Sequence, residues 1–328
     1  MTTSSSHTSK NAAARSAAQG APVDAPVDAA VDAPVDASAQ HTLQQPCDQE
    51  ICNFEHFNEQ AFEDALVRLQ NVNISYEGHN VVHDVCFSIM PGEIVGIVGE
   101  SGAGKSTVLH SIVQLLARQA ETTGAIYFQG KNLLELSEEQ MQHVRGNNIA
   151  TIFQNPGQRF DPLMKIGAQI EELYHVHQKP YKHDALVALM ERMHFSNPQR
   201  VLRSYPHELS GGMLQRVAIV MGCIFEPKLL LADEPTSALD TTTQSAIVDE
   251  LLELNATRNT AILMVTHNIA LAGHMCHSLI VMDSGHIIEQ GPSKSVLEHP
   301  QNERTRELLA SVPRFKSATR TQPQSDTC

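Results

Sequence analysis

The chain has 328 residues, 41% hydrophobic and 18% charged, which is enough for a large packed core in one or two domains. Its longest apolar run, Val217 to Phe225, falls well short of the roughly 18–20 residues that cross a bilayer, so any membrane role must come through a partner. A formal net charge of −14 argues against nucleic acid as that partner, because phosphates favour a basic surface.

Residues 1–64 are expected to be a disordered tail. Between Ala21 and Ala37 the unit Ala-Pro/Ala-Val-Asp recurs four times. Its prolines remove helix donors, its aspartates repel one another, and it offers little apolar area to offset ordering entropy. A short amphipathic segment near Phe57 to Leu66 is the one element expected there. The N-terminus has no apolar h-region, so it does not read as a secretory signal. Lys10 and Arg15, with no acid before Asp24, resemble a transit peptide only faintly, since no Arg-rich amphipathic helix follows. The six cysteines have no metal-finger spacing. Cys86 and Cys223 sit in apolar stretches and read as core residues. With Cys47, Cys52 and Cys328 scattered elsewhere, the pattern points to free thiols in a reducing compartment.

Order is expected from Val67. Val72, Ile74 and Tyr76 alternate, as do Val85, Phe87 and Ile89, the period of half-buried antiparallel strands. After the Pro91-Gly92 turn, Ile94 to Val98 is continuously apolar, as a parallel strand buried on both faces would be. Leu229 to Ala232 and Ala261 to Val265 are two more such runs. Helical patterns over Ser106–Leu116 and Gln244–Leu254 lie between them. This alternation predicts an α/β fold: a phosphate-loop NTPase core with a parallel sheet, preceded by an antiparallel β subdomain. The stretch from about Pro156 to Tyr205 breaks the strand pattern and reads as an inserted helical subdomain, set at about 156–215. The core domain is placed at 65–291. A C-terminal segment, 292–328, holds one amphipathic helix around Arg304 to Leu309 and a polar tail.

Three segments carry the chemistry. Gly99-Glu100-Ser101-Gly102-Ala103-Gly104-Lys105-Ser106 fits the G-x-x-x-x-G-K-[ST] phosphate loop, with a buried strand leading in and a helix leading out. Its glycines permit a tight turn of converging N–H groups, and the helix start adds partial positive charge. Lys105 is expected to reach the β- and γ-phosphates of ATP and the Ser106 hydroxyl to ligate Mg²⁺, with Thr107 also among the nucleotide-binding residues. The second segment is Leu229-Leu230-Leu231-Ala232-Asp233-Glu234. A carboxylate ending a buried strand lies at the edge of the sheet where ligands bind, which suits Asp233 to hold Mg²⁺ and Glu234 to orient or deprotonate the attacking water. The third is Leu209-Ser210-Gly211-Gly212-Met213, followed by Gln215-Arg216.

With that third segment between the other two, the chain resembles the ATP-binding cassette family, whose signature is LSGGQ. The resemblance runs from roughly Val67 to Gly291. It implies that Tyr76 stacks on adenine, that Gln154 in Phe153-Gln154-Asn155-Pro156 is the Q-loop glutamine, acting in catalysis and on the metal, and that Asp240 in Ser237-Ala238-Leu239-Asp240 belongs to the D-loop at the nucleotide. It further implies that His267 in Val265-Thr266-His267 is the switch histidine. Met213 departs from the usual glutamine, though methionine also occurs there in the peptide and nickel importer branch. Taken singly, Tyr76 could be an ordinary strand aromatic and His267 a core histidine; the ordered set argues against both.

In that family Ser210, Gly211 and Gly212 open a helix whose N–H groups serve ATP held by the opposite subunit. The resemblance therefore implies a dimer, with an identical copy or a sister cassette. It also implies two transmembrane permease subunits, a solute-binding protein and a place on the cytoplasmic face of the inner membrane. Phe160-Asp161-Pro162-Leu163, Tyr205-Pro206-His207-Glu208 before the signature, and Thr305 to Pro313 resemble the peptide/nickel importer branch. Met213-Leu214-Gln215-Arg216 is similar to the first nickel import ATPase subunit, so nickel is favoured over di- or oligopeptide as cargo. The absence of the cysteine cluster found in many peptide importer ATPases leans the same way.

Two rival classes remain. One is a soluble cassette ATPase of translation, repair or cofactor assembly; repair relatives carry a long coiled coil and translation relatives a second cassette, and this sequence has neither. A regulatory nucleotide binder without turnover would tend to lose Glu234 and His267. Among the 17 histidines, His175 with His177 and His274 with His277 are candidate metal pairs, the second read as i, i+3 on a helix; a solvated helix face is the competing and preferred reading.

Overall fold

The computed structural model describes residues 64–236 and 241–310. The tail over residues 1–63, Cys47, Cys52, Cys328, the end of the C-terminal segment and the stretch Ser237 to Asp240 lie outside the described residues.

Strands β1 (Val67–Tyr76) and β2 (His79–Ile89) form a hairpin, and β4 (Ala120–Phe128) with the short β5 (Lys131–Asn132) completes a four-stranded antiparallel sheet ordered β2-β1-β4-β5. Val67, Leu69, Val72 and Ile74 of β1 are fully buried, while the residues between them keep some solvent contact. That alternation is what a one-sided sheet requires.

The second sheet has six strands in the order β10-β9-β3-β8-β7-β6. Its members are β3 (Ile94–Gly99), β6 (Ile149–Ile152), β7 (Leu229–Asp233), β8 (Ala261–Val265), β9 (Ser278–Asp283) and β10 (His286–Pro292). Strands β6, β7, β8, β3 and β9 run parallel, and β10 returns antiparallel on β9. The continuously apolar runs follow from burial on both faces. Ile94, Val98, Leu230, Ala232, Ile262 and Met264 face a core shared with the helices, whereas Val95, Ile97, Leu229, Leu231, Leu263 and Val265 face the antiparallel sheet. Helix α1 (Lys105–Ile112) lies on this second side, with Val108, Leu109 and Ile112 buried. It ends earlier than its apolar pattern predicted: the backbone turns at Val113, and Gln114 takes a left-handed φ of 51°.

Helix α2 (Glu138–Val144) precedes β6. Between β6 and β7 the chain makes α3 (Ile166–Val176), α4 (His183–Arg192), α5 (Pro198–Arg203) and α6 (Gly211–Cys223). Ile166, Ile170, Tyr174, Leu186, Met190, Val201 and Leu202 carry the apolar faces that pack this group together. After β7 come α7 (Thr241–Arg258), α8 (Ile269–Met275), α9 (Ser293–Glu298) and α10 (Glu303–Ala310). Among the described residues no helix is long and apolar enough to cross a membrane.

The histidine pair on a helix is corrected here. Helix α8 ends at Met275, and Cys276 is extended with φ −88° and ψ 140°. His277 therefore leaves the helix, and its Nδ1 accepts a hydrogen bond from the Ile94 amide at 2.9 Å, so it shares no helical face with His274. His177 follows the last turn of α3 with its ring edge-on to Phe225. Among the described residues no three His, Cys, Asp or Glu side chains gather as a metal site. Cys86, Cys223 and Cys276 are buried.

Candidate functional site

The site forms where β3, β7 and β8 end. β3 runs into the loop Gly99–Gly104, and the loop into α1. At Gly99, with φ 153°, a Cβ would lie 2.1 Å from the Met282 carbonyl, so only glycine lets β3 turn away beside β9. Gly102 and Gly104 take left-handed φ of 86° and 90°. The turn is closed from within by Ala103 N–H donating to Glu100 O and from outside by Gly285 N–H donating to Ala103 O, each at 3.2 Å. Ser101 and Gly102 stay exposed.

Lys105 folds back beneath this loop. Its Nζ donates to the carbonyls of Gly99 at 2.9 Å and Glu100 at 2.7 Å. An ammonium has three N–H donors, so one remains for a phosphate oxygen. Burial lowers the Lys105 pKa, and the nearby carboxylates of Glu234 and Asp233 oppose that shift. The next residue, Ser106, donates through Oγ to Asp233 Oδ1 at 2.7 Å. Phosphate loop and strand end thus meet directly. Thr107 is half-buried on the first turn of α1.

Asp233 is only 5% exposed. Burial raises its pKa; the Ser106 hydrogen bond and the charges of His110 and Lys105 pull it back. A buried carboxylate bonded to a hydroxyl is a set of hard oxygen donors that suits Mg²⁺.

Glu234 has a left-handed φ of 45°, unusual for a residue with a Cβ, and its N–H donates to Val265 O at 2.9 Å. That backbone turn aims consecutive carboxylates in different directions. Asp233 faces the loop, while Glu234 meets Gln154 and His267. Gln154 Nε2 donates to Glu234 Oε2 at 2.7 Å, and Nδ1 of the exposed His267 lies 3.4 Å from Glu234 Oε1. With its amide nitrogen used in this way, Gln154 keeps a carboxamide oxygen for a cation. Three segments far apart in sequence therefore converge on one side chain.

Ser210, Gly211 and Gly212 are placed elsewhere. Ser210 caps α6, its Oγ accepting from Met213 N–H at 3.3 Å, and Ser210 and Gly211 are exposed. Among the described residues no hydrogen bond or ion pair ties Ser210 to the phosphate loop of the same chain. Tyr76 ends β1 opposite His79, half-buried against the antiparallel sheet's core. Asp240 lies outside the described residues.

His110 was not foreseen. Its Nε2 lies 3.4 Å from Asp233 Oδ2, and its ring tilts against Phe153 with centroids 5.6 Å apart. Burial lowers its pKa, Asp233 opposes this and Arg159 adds to it. The available signal was spacing: His110 follows Ser106 by four residues on one helix, hence on the same face.

Comparison with known proteins adds the relatives. The family model described as ABC transporter matches residues 82–237. A "probable peptide ABC transporter ATP-binding protein", y4tR of Sinorhizobium fredii, is 40% identical over 259 residues, 76% of this chain and 77% of its own. The metal-staphylopine import system ATP-binding protein CntD of Staphylococcus aureus is 38% identical over 70% of this chain and 86% of its own. Among solved structures, the dimeric post-hydrolysis state of the ATP-binding cassette MJ0796, bound to ADP and Pi, superposes with a TM-score of 0.61 at 27% identity, covering 69% of this chain and 98% of that one. Similarity of this extent to transporter cassettes, carried on a phosphate loop that meets an Asp-Glu strand end, means that the chain belongs to the ABC transporter family as one of its ATP-binding, ATP-hydrolysing subunits.

Proposed function

We propose that this chain is the ATPase of an importer, converting ATP hydrolysis into closing and opening of a pair of cassettes beneath separate permeases. The observation that carries the reading is the convergence of Gln154 and His267 on Glu234 while Ser106 holds Asp233. One carboxylate is thereby assigned to the metal side and the other to water. The loop Gly99 to Gly104, with Lys105, Ser106 and Thr107, binds the triphosphate, and Tyr76 stacks on adenine. Ser106, Asp233 and Gln154 would hold Mg²⁺. When bound, Mg²⁺ supplies positive charge against the β- and γ-phosphate oxygens. Glu234 orients and deprotonates the attacking water, and His267 and Gln154 fix the carboxylate that does so.

Ser210, Gly211 and Gly212 act on ATP held by a second cassette, and Asp240 lines that same composite site. The exposed, capped start of α6 supports this, because the first-turn N–H groups of a helix are suited to an anion. Binding of the γ-phosphate favours the closed pair and its loss favours the open one. We place the cassette at 65–291, its helical subdomain at about 156–215, a tail at 1–64 and a C-terminal segment at 292–328. The partners are two permease subunits and a solute-binding protein. The chain itself sits on the cytoplasmic face of the inner membrane.

For cargo, the names of the relatives support a peptide or a metal chelate. Nickel rests on sequence likeness, with Met213-Leu214-Gln215-Arg216 foremost. Uptake of radioactive nickel and of a labelled tripeptide, with and without this chain, separates the two, and unaltered nickel uptake would remove that reading.

The test of the site is Glu234→Gln. The variant is expected to bind ATP and to form ATP-dependent dimers, while kcat falls by about 10²–10⁴-fold, as for loss of a general base. Equal turnover by wild type and variant would show that Glu234 is not the base.

A further inference from the structure

Asp233 presents two oxygens with different neighbours. Oδ1 accepts from Ser106 Oγ at 2.7 Å, and Oδ2 lies 3.4 Å from His110 Nε2. That nitrogen is shut off from solvent and has no hydrogen-bond partner: it is within reach of Oδ2 but not aligned with it. A buried ring nitrogen left in this state is costly, which calls for a compensating role. The ring is held from its other side. It tilts at 46° against Phe153, and the Arg159 guanidinium stacks over the same Phe153 ring at 4.4 Å. Phe153 immediately precedes Gln154, which donates to Glu234. His110 therefore touches the metal-side carboxylate and the root of the segment that reaches the water-side carboxylate.

We propose that His110 is a positioning residue for Asp233, its Nε2–H donating to Oδ2 when nucleotide and metal bind, so that Oδ1 is held toward the cation beside Ser106. This rests on the reading of Asp233 as a Mg²⁺ ligand. Carboxylates that bind metals are themselves hydrogen-bonded, and loss of the outer partner typically costs 10–100-fold in metal affinity. A neutral ring in the Nε2–H tautomer is sufficient. If His110 only filled space, any ring of its size would serve.

The test uses the full chain with a non-hydrolysable ATP analogue and Mn²⁺ as the probe, free Mn²⁺ being read by electron paramagnetic resonance. His110→Phe keeps a ring without the donor and is expected to weaken Mn²⁺ binding about tenfold. His110→Gln, which restores a donor at similar reach, is expected to lie within about threefold of wild type. Wild-type affinity in His110→Phe would overturn the proposal, as would equal losses in both variants. Asp233→Asn separates the two levels. If it binds Mn²⁺ like wild type, the metal reading of Asp233 and the role of His110 fall together. If it loses Mn²⁺ while His110→Phe does not, His110 alone falls. Nitrogen-15 NMR of labelled histidine in the unaltered chain needs no folded Phe variant. A protonated Nε2 on His110 in the Mg²⁺-analogue complex is expected, and a bare Nε2 would overturn the assignment.

Discussion

Glu250 is 2% exposed on α7, and neither of its carboxylate oxygens has a hydrogen-bond partner. Arg216 is the nearest compensating charge, but its Nη1 is turned to the carbonyls of Met193 and His194 and its face to Phe195. Burial therefore pushes the Glu250 pKa up to about 7 from an ordinary 4.5; Arg216 opposes the shift, and Glu253 and Asp249 add to it. The folded chain binds this proton more tightly than the unfolded one. Its stabilising contribution is thus complete below pH 4.5 and is lost as pH rises through about 7. A shift of this size corresponds to about 3 kcal/mol. Glu250→Gln should raise the melting temperature at pH 8 more than at pH 5, by several degrees at roughly 2–4 °C per kcal/mol. Equal changes at the two pH values would mean that the carboxyl is not held neutral. No sequence signal marked Glu250, because it reads as one more polar position on a helix rich in Glu and Asp. Lys105, Ser106, Asp233 and Glu234 were legible because the chemistry fixes both their types and their order. His110 was not, since a histidine one turn beyond the phosphate loop has no required identity.

Among the elements, α6 has an exposed start whose glycine this chain does not itself require. Gly99 is glycine because a Cβ would strike Met282, whereas a Cβ on Gly211 would meet nothing within 4 Å. Gly211 begins the helix with an ordinary φ, so neither packing nor backbone within this chain calls for glycine. On the function proposed above, an approaching phosphate would supply that demand. Gly211→Asp should consequently fold with a melting temperature within about 2 °C of wild type, since an acid on the first turn suits the helix dipole. The same charge would face the partner's γ-phosphate, and ATPase activity should fall by about 100-fold or more. A variant that folds and still hydrolyses ATP normally would refute that use of α6. The readable elements were those with one dominant period. β3, β7 and β8 are apolar throughout because both faces are covered, and β1 alternates because one is. β4 went unread because Glu121, Thr122 and Thr123 hide its period, and β6 is only four residues long. The end of α8 is not legible in its own residues: just past Cys276 the chain is held by His277 accepting from Ile94, a contact between residues 183 apart.

At the scale of the whole molecule, one copy contains a phosphate loop, an Asp-Glu strand end, Gln154, His267 and a capped signature helix, but among the described residues no hydrogen bond or ion pair joins that helix to its own loop. On the proposed function, two identical copies related by a twofold axis would complete two sites, each with Ser101 of one chain facing Ser210 of the other. A chain carrying Ser101→Cys, Ser210→Cys and Glu234→Gln should therefore form an oxidation-dependent dimer with ATP and little with ADP. The native thiols allow this design. Cys223 and Cys276 are buried with pKa values pushed up to about 12, which leaves few thiolates to compete, and Cys86 is buried as well. Cys47, Cys52 and Cys328 would be replaced by serine. Each single cysteine variant should give no such dimer, because the twofold axis that brings position 101 to 210 separates 101 from 101. A disulfide forming equally in ATP and ADP would break the link between the γ-phosphate and closure. No disulfide at saturating ATP, in a chain shown to bind it, would mean that two copies of this cassette do not close on nucleotide.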